Sequence, residues 1–161
     1  VKMKYEDIKK SKAYLNDKGC CTVVASAIAF NVPFERMQEV FKVAIGRRKN
    51  SGVRFTYFVD KLAKTYGYKV ESFQSCNNFG TLSNNIKKVT KSALTVATAE
   101  KALTSGNYIL SMSGHVASLK NGIVEDWSRG SKRRIKKIYK FTKIKKSKVV
   151  KKSKFDKYII S

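Results

Sequence analysis

The sequence predicts an α+β protein, with N-terminal helices packed on a C-terminal antiparallel sheet. Two observations lead there. Between Cys21 and Ala63, apolar side chains recur at helical spacing in three successive stretches. From Asn107 to Thr142 the pattern changes to short apolar runs cut by turn signals, as in consecutive antiparallel strands. Helices first and a strand meander afterwards is the α+β order. At 161 residues and 42% hydrophobic content, the chain suits one domain over 1–161, ending in a Lys-rich segment from about 143 to 161.

Taken in order, residues 1–18 are polar, with Tyr5, Ile8 and Tyr14-Leu15 as docking points, and they end in the turn signal Asn16-Asp17-Lys18-Gly19. A helix from Cys21 to Phe30 is Ala-rich and apolar on nearly every side, which suits a buried central helix. Asn31-Val32-Pro33 breaks it, and Pro33 opens a second helix whose Phe34, Met37, Val40, Phe41 and Ala44 share a face and which stops at Gly46. After the basic loop 47–52, a third helix is expected over about Arg54–Tyr66, with Gly67 as its C-cap, followed by a short strand over Tyr68–Phe73. Residues 74–92 read as polar loop and then a helix around Leu82–Val89. Leu94-Thr95-Val96 is expected as a strand, with Thr98 as N-cap of a short helix ending near Gly106.

Four strands follow, over 107–112, 114–120, 123–127 and 134–142. The last alternates Ile135, Ile138-Tyr139 and Phe141 with lysines, predicting one buried and one wet face. In the tail, Val149-Val150 and Tyr158-Ile159-Ile160 are expected as late strand pieces.

The charge narrows the partners. Lys+Arg 35 against Asp+Glu 11 leaves +24, so nucleic acid, anionic membrane and acidic protein are all attracted. From Lys132 to Lys157 the only acid is Asp156. No apolar stretch reaches the roughly 18 residues of a membrane span, and Val1–Glu6 has no signal-like apolar region. Cys20, Cys21 and Cys76 are an odd set with two adjacent members, so free thiols and a cytoplasmic setting are expected. With one histidine and no Cys-x-x-Cys pair, neither a metal nor a cofactor is expected.

The chemistry gathers at Cys21 and His115. A thiol at a helix start is activated when an imidazole faces it and a carboxylate steadies that imidazole. Asn121-Gly122 is a two-residue hairpin signal between 114–120 and 123–127. Setting Lys120 opposite Ile123 pairs Ala117 with Asp126 and His115 with Ser128. Period-2 alternation then places His115 and Asp126 on one face as diagonal neighbours, while Glu125 points to the other. The register selects Asp126 as the orienting acid.

These residues resemble the papain-like cysteine peptidase superfamily, and short phage- and mobile-element-encoded members most of all. The matching segments are Cys20-Cys21-Thr22-Val23-Val24-Ala25, Pro33-Phe34-Glu35, Gly46-Arg47-Arg48-Lys49, Gly114-His115-Val116-Ala117 and Asn121-Gly122-Ile123-Val124-Glu125-Asp126. They span about residues 14–142, and their order and spacing distinguish them more than any one alone. The resemblance implies a papain-like fold with Cys21 as nucleophile, His115 as general base and acid, and Asp126 as orienter. It also implies an oxyanion donor several residues before the nucleophile, where Asn16 is the available amide, beside the backbone N–H of Cys21. Cys20 stands where that pattern usually has Asp and is the weaker candidate.

The expected function is therefore hydrolysis of a peptide or isopeptide bond in a protein substrate. The alternative is a catalytically silent basic module on the same fold that binds nucleic acid or a host protein. It draws on Arg47-Arg48-Lys49, Lys132-Arg133-Arg134 and the aromatics Tyr139, Phe141, Phe155 and Tyr158 among the lysines. For those aromatics, packing is preferred over base stacking.

Overall fold

A computed structural model describes residues 2–74, 82 and 94–144 of the chain. Within them, α1 (Tyr5–Lys9) and α2 (Lys12–Leu15) lead to α3 (Cys21–Phe30) and α4 (Phe34–Val40), and α4 runs on into a π-turn over Phe41–Ile45. A 3₁₀ turn at Phe55–Tyr57 precedes α5 (Val59–Thr65), and α6 is Val96–Ala102. The strands are β1 (Tyr68–Gln74), β2 (Asn107–Met112), β3 (His115–Lys120), β4 (Ile123–Glu125) and β5 (Ile135–Lys143). They form one antiparallel sheet in the order β1-β5-β2-β3-β4. Mixed helix and antiparallel sheet is the α+β class expected.

The sheet is covered on both sides. Period-2 alternation sends Ile109, Val116, Tyr139 and Phe141 towards α3, and Leu110, Ala117, Leu119 and Ile138 into a second cluster with Val96 and Ala99 of α6. The wet face expected for the last strand is thereby corrected. β5 carries buried side chains on both faces, Tyr139 and Phe141 towards α3 and Ile135 and Ile138 towards α6, with Lys136, Thr142 and Lys143 exposed between and beyond them. Tyr139 is 2% exposed, and its hydroxyl is hydrogen-bonded to that of Thr56 at 2.8 Å, while Phe141 packs on Phe30. Both aromatics are core residues; Phe155 and Tyr158 lie outside the described residues.

α3 has the expected bounds, and every residue from Thr22 to Phe30 is buried. An apolar helix has no wet side to offer, so it sits inside, with α4 on one flank and β3 beneath it. Asn31 ends it in the left-handed region at φ 54. Gly46 plays the same part after the π-turn, at φ 81. The single third helix expected at 54–66 is instead a 3₁₀ turn and a shorter α-helix, separated at Phe58.

The strand expected at 94–96 is also corrected. Thr95 makes one bridge to Arg134 and then caps α6, its side chain accepting from the N–H of Thr98 while the Thr98 hydroxyl accepts from the N–H of Thr95. Such a capping box starts the helix three residues earlier than a Thr98 cap would, and α6 ends at Ala102. Of the N-terminal docking points, Ile8 is buried while Leu15 is 66% exposed. The helix expected at Leu82–Val89, the late strand pieces and Cys76 fall outside the described residues, save for Leu82 itself, which packs on the second cluster. No helix among the described residues is long and apolar enough to cross a membrane.

Candidate active site

The β3–β4 hairpin has the expected register, with Lys120 opposite Ile123, Leu119 opposite Val124 and Ser118 opposite Glu125. Asn121 and Gly122 both have positive φ, at 50 and 81, as a type I′ turn requires. The ladder stops at Glu125, so the Ala117–Asp126 and His115–Ser128 pairings do not form. Asp126 still reaches back diagonally, and its Oδ2 lies 2.7 Å from His115 Nε2, with both side chains buried. Glu125 points elsewhere, its Oε2 accepting from the backbone N–H of Tyr5 at 2.8 Å.

Cys21 is the first residue of α3, at the end of the sheet where β3 begins. With Nε2 of His115 engaged by Asp126, the other ring nitrogen is left for the thiol, and Cys21 and His115 line the same two depressions. Burial pushes the Cys21 thiol up, but the neighbouring imidazole of His115 and the backbone N–H of Val116 bring it below its ordinary value on balance. Burial pulls His115 down, yet the bonds to Asp126 and Cys21 raise it to about 9. The opposed shifts are in the direction that favours thiolate and imidazolium. Cys20 behaves otherwise: burial and the charge of Asp17 raise it to about 11, and its thiol donates to the Asp17 carbonyl.

Several contributors were not assigned from the sequence. The Ser128 hydroxyl and backbone N–H both donate to Asp126 Oδ2, fixing the acid that fixes the ring. Trp127 tilts against His115 at 4.5 Å between centroids, with Arg133 over the indole at 5.0 Å. Before the thiol, Asp17 is buried and takes a two-pronged ion pair from Arg47, at 2.7 and 2.8 Å. It also accepts from Gln38 and from the backbone N–H of Asn50. Burial pushes the Asp17 carboxyl up, but the Arg47 guanidinium and the other donors hold it below the usual range. Arg47 is thus a buried strut, a correction to its place in an exposed basic loop; Arg48 and Lys49 remain exposed. The signal for this pair was faint, because Asp17 sat inside a turn motif and its partner lies 30 residues away.

Gly19 and Gly52 bring the two loops into backbone contact. A Cβ at Gly19 would lie 3.3 Å from the Gly52 nitrogen, and Gly19 has φ +68. Two depressions flank the thiol and share Cys21, Gly114 and His115. One, of about 400 Å³, is walled by Tyr5, Tyr14, Leu15, Lys18 and Trp127. The other, of about 450 Å³, is walled by Gly52, Val53, Arg54, Thr56 and Met112. Asn16 lines neither, standing exposed as the C-cap of α2. The structure thus brings Cys21, His115 and Asp126 together and leaves Asn16 outside. Among the described residues, no group of three or more His, Cys, Asp and Glu is arranged to hold a metal.

No protein-family model, curated protein or solved structure matches the chain.

Proposed function

We propose that the chain is a cysteine peptidase of papain-like arrangement, cleaving a peptide or isopeptide bond through Cys21, His115 and Asp126. The carrying observation is the buried Asp126–His115 pair beside the half-buried Cys21 thiol, with the thiol lowered and the imidazole raised. The thiolate of Cys21 adds to the substrate carbonyl carbon, and the C=O electrons move onto oxygen. The backbone N–H of Cys21 is a donor for that oxyanion: it belongs to the first turn of α3, and the N-cap side chain makes no capping bond there. As the C–N bond breaks, His115 gives its proton to the leaving nitrogen, leaving an acyl thioester. The neutral ring then takes a proton from water, whose oxygen displaces the sulfur, restoring the thiolate–imidazolium pair.

The test is an electrophilic thiol probe on the intact protein. Cys21 should be labelled in preference to Cys20 and Cys76, and His115→Ala should remove that preference. Equal labelling of all three thiols would overturn the proposal.

A second reading keeps the fold and drops turnover: a basic module that holds nucleic acid or a host protein. The net charge of +24 supports it. Nucleic-acid affinity should then fall steeply with salt, whereas a flat dependence removes this reading.

A further inference from the structure

The cleft contains four charged side chains besides His115, and they fall into two kinds. Its carboxylates are both engaged inside the protein, Asp17 by Arg47 and Asp126 by His115. Its cations, Lys18 in one depression and Arg54 in the other, are both exposed. Among the described residues, neither has a carboxylate within ion-pair distance. Each depression bordering the thiol therefore carries one positive charge that has no ion-pair partner among the described residues. A concave wall of low dielectric concentrates the field of such charges on whatever occupies it. The Lys18 half also holds two large exposed apolar side chains, Leu15 at 66% and Trp127 at 55%.

Resting on the peptidase reading, we infer that the cleft selects an acidic peptide, with one carboxylate side chain on each side of the scissile bond, facing Lys18 and Arg54. The occupant of the Lys18 half combines that acid with a neighbouring apolar side chain that packs on Leu15 and Trp127. The specificity is local, set by these two cations rather than by the overall charge. A peptide is favoured over a polynucleotide because each depression holds a single cation beside a nucleophile, together with apolar side chains, rather than a run of cations.

The experiment uses fluorescent peptides on the full-length Cys21→Ala protein, so that binding is read without turnover. Three peptides share one core and differ in flanks: acid on both sides, neutral on both sides, and basic on both sides. The acidic peptide should bind about 25-fold more tightly than the neutral one, about 5-fold for each matched carboxylate, the upper end for partly screened ion pairs. Lys18→Glu and Arg54→Glu should each cut the acidic-over-neutral preference to about 5-fold or less, and the double variant should abolish it. Lys69→Glu makes the same charge change on β1, which is separated from β3 by β5 and β2, and should leave the preference intact. Equal binding of all three peptides overturns the inference, as does an equal loss from Lys69→Glu, which would mean bulk attraction. A single-stranded oligonucleotide that binds through Lys18 and Arg54 while the acidic peptide does not bind also overturns it. Cleavage by the unmodified protein separates the two levels. If Cys21 takes the probe and neutral peptides are cut as fast as acidic ones, only the acidic preference falls. If Cys21 is neither labelled nor active on any peptide, the peptidase reading falls with it.

Discussion

Cys20 and Cys21 are neighbours in sequence with opposite surroundings, one facing the carbonyl of Asp17 and the other the imidazole of His115. Alkylation of Cys21 should therefore rise with pH through a value below the ordinary thiol range of about 8.5, while Cys20 stays unreactive until about 11. Mass spectrometry of each site against pH checks both limbs. On the peptidase proposal, turnover needs the imidazolium as acid, so it should decline as pH climbs through about 9, where His115 loses its proton. Asp126→Asn removes the charge that raises the ring, so this basic limb should move down towards about 6.5 and the rate should fall about 10²–10⁴-fold. A kcat/KM profile for the variant gives both readouts, and an unmoved limb would remove Asp126 from the orienting role. The raised His115 pKa has a stability side too: its contribution is complete below about 6.5 and is lost as pH rises through about 9.

At the scale of elements, the start of α3 is held less by its own cap than by a brace from another loop. Asp17 and Arg47 are each 4% exposed at the side chain, so removing one leaves the other buried and unpaired. Asp17→Asn should destabilise the fold by about 3–5 kcal/mol in denaturant unfolding, and Asp17→Asn with Arg47→Met by distinctly less. A double variant as damaged as the sum of the singles would contradict the coupling. At the start of α6, Thr95→Ala removes the accepting half of the capping box and should cost about 1 kcal/mol. The hairpin was legible because Asn121-Gly122 dictates a turn, the turn dictates a register, and the register chose Asp126 over Glu125. The Asp17–Arg47 brace was not legible, since no local pattern distinguishes a buried arginine from the exposed Arg48 beside it. Asn16 was placed from a family resemblance alone, and it stands exposed at a helix C-cap, outside both depressions beside the thiol.

At the scale of the whole molecule, a charge of +24 on 161 residues opposes compaction by self-repulsion. Salt screens that repulsion over about 8 Å at physiological strength, so the melting temperature should rise from low to moderate ionic strength. A calorimetric series in sodium chloride checks it; a fall with salt would mean that attractive pairs such as Asp17–Arg47 dominate instead. The order of helices and strands was legible from the change of period near residue 107, because each period reports the local backbone. Burial of both faces of β5 was not, because its lysines alternate as if facing water while its central place in the sheet depends on strands far away in sequence. One loop contact reaches beyond stability. Gly19 rests on Gly52, between the loop carrying Lys18 and the loop carrying Arg54, so a side chain at position 19 would press directly on the second loop. An engineer wishing to vary the two cations should leave this glycine alone, since any larger residue would push the two loops apart and move both charges at once.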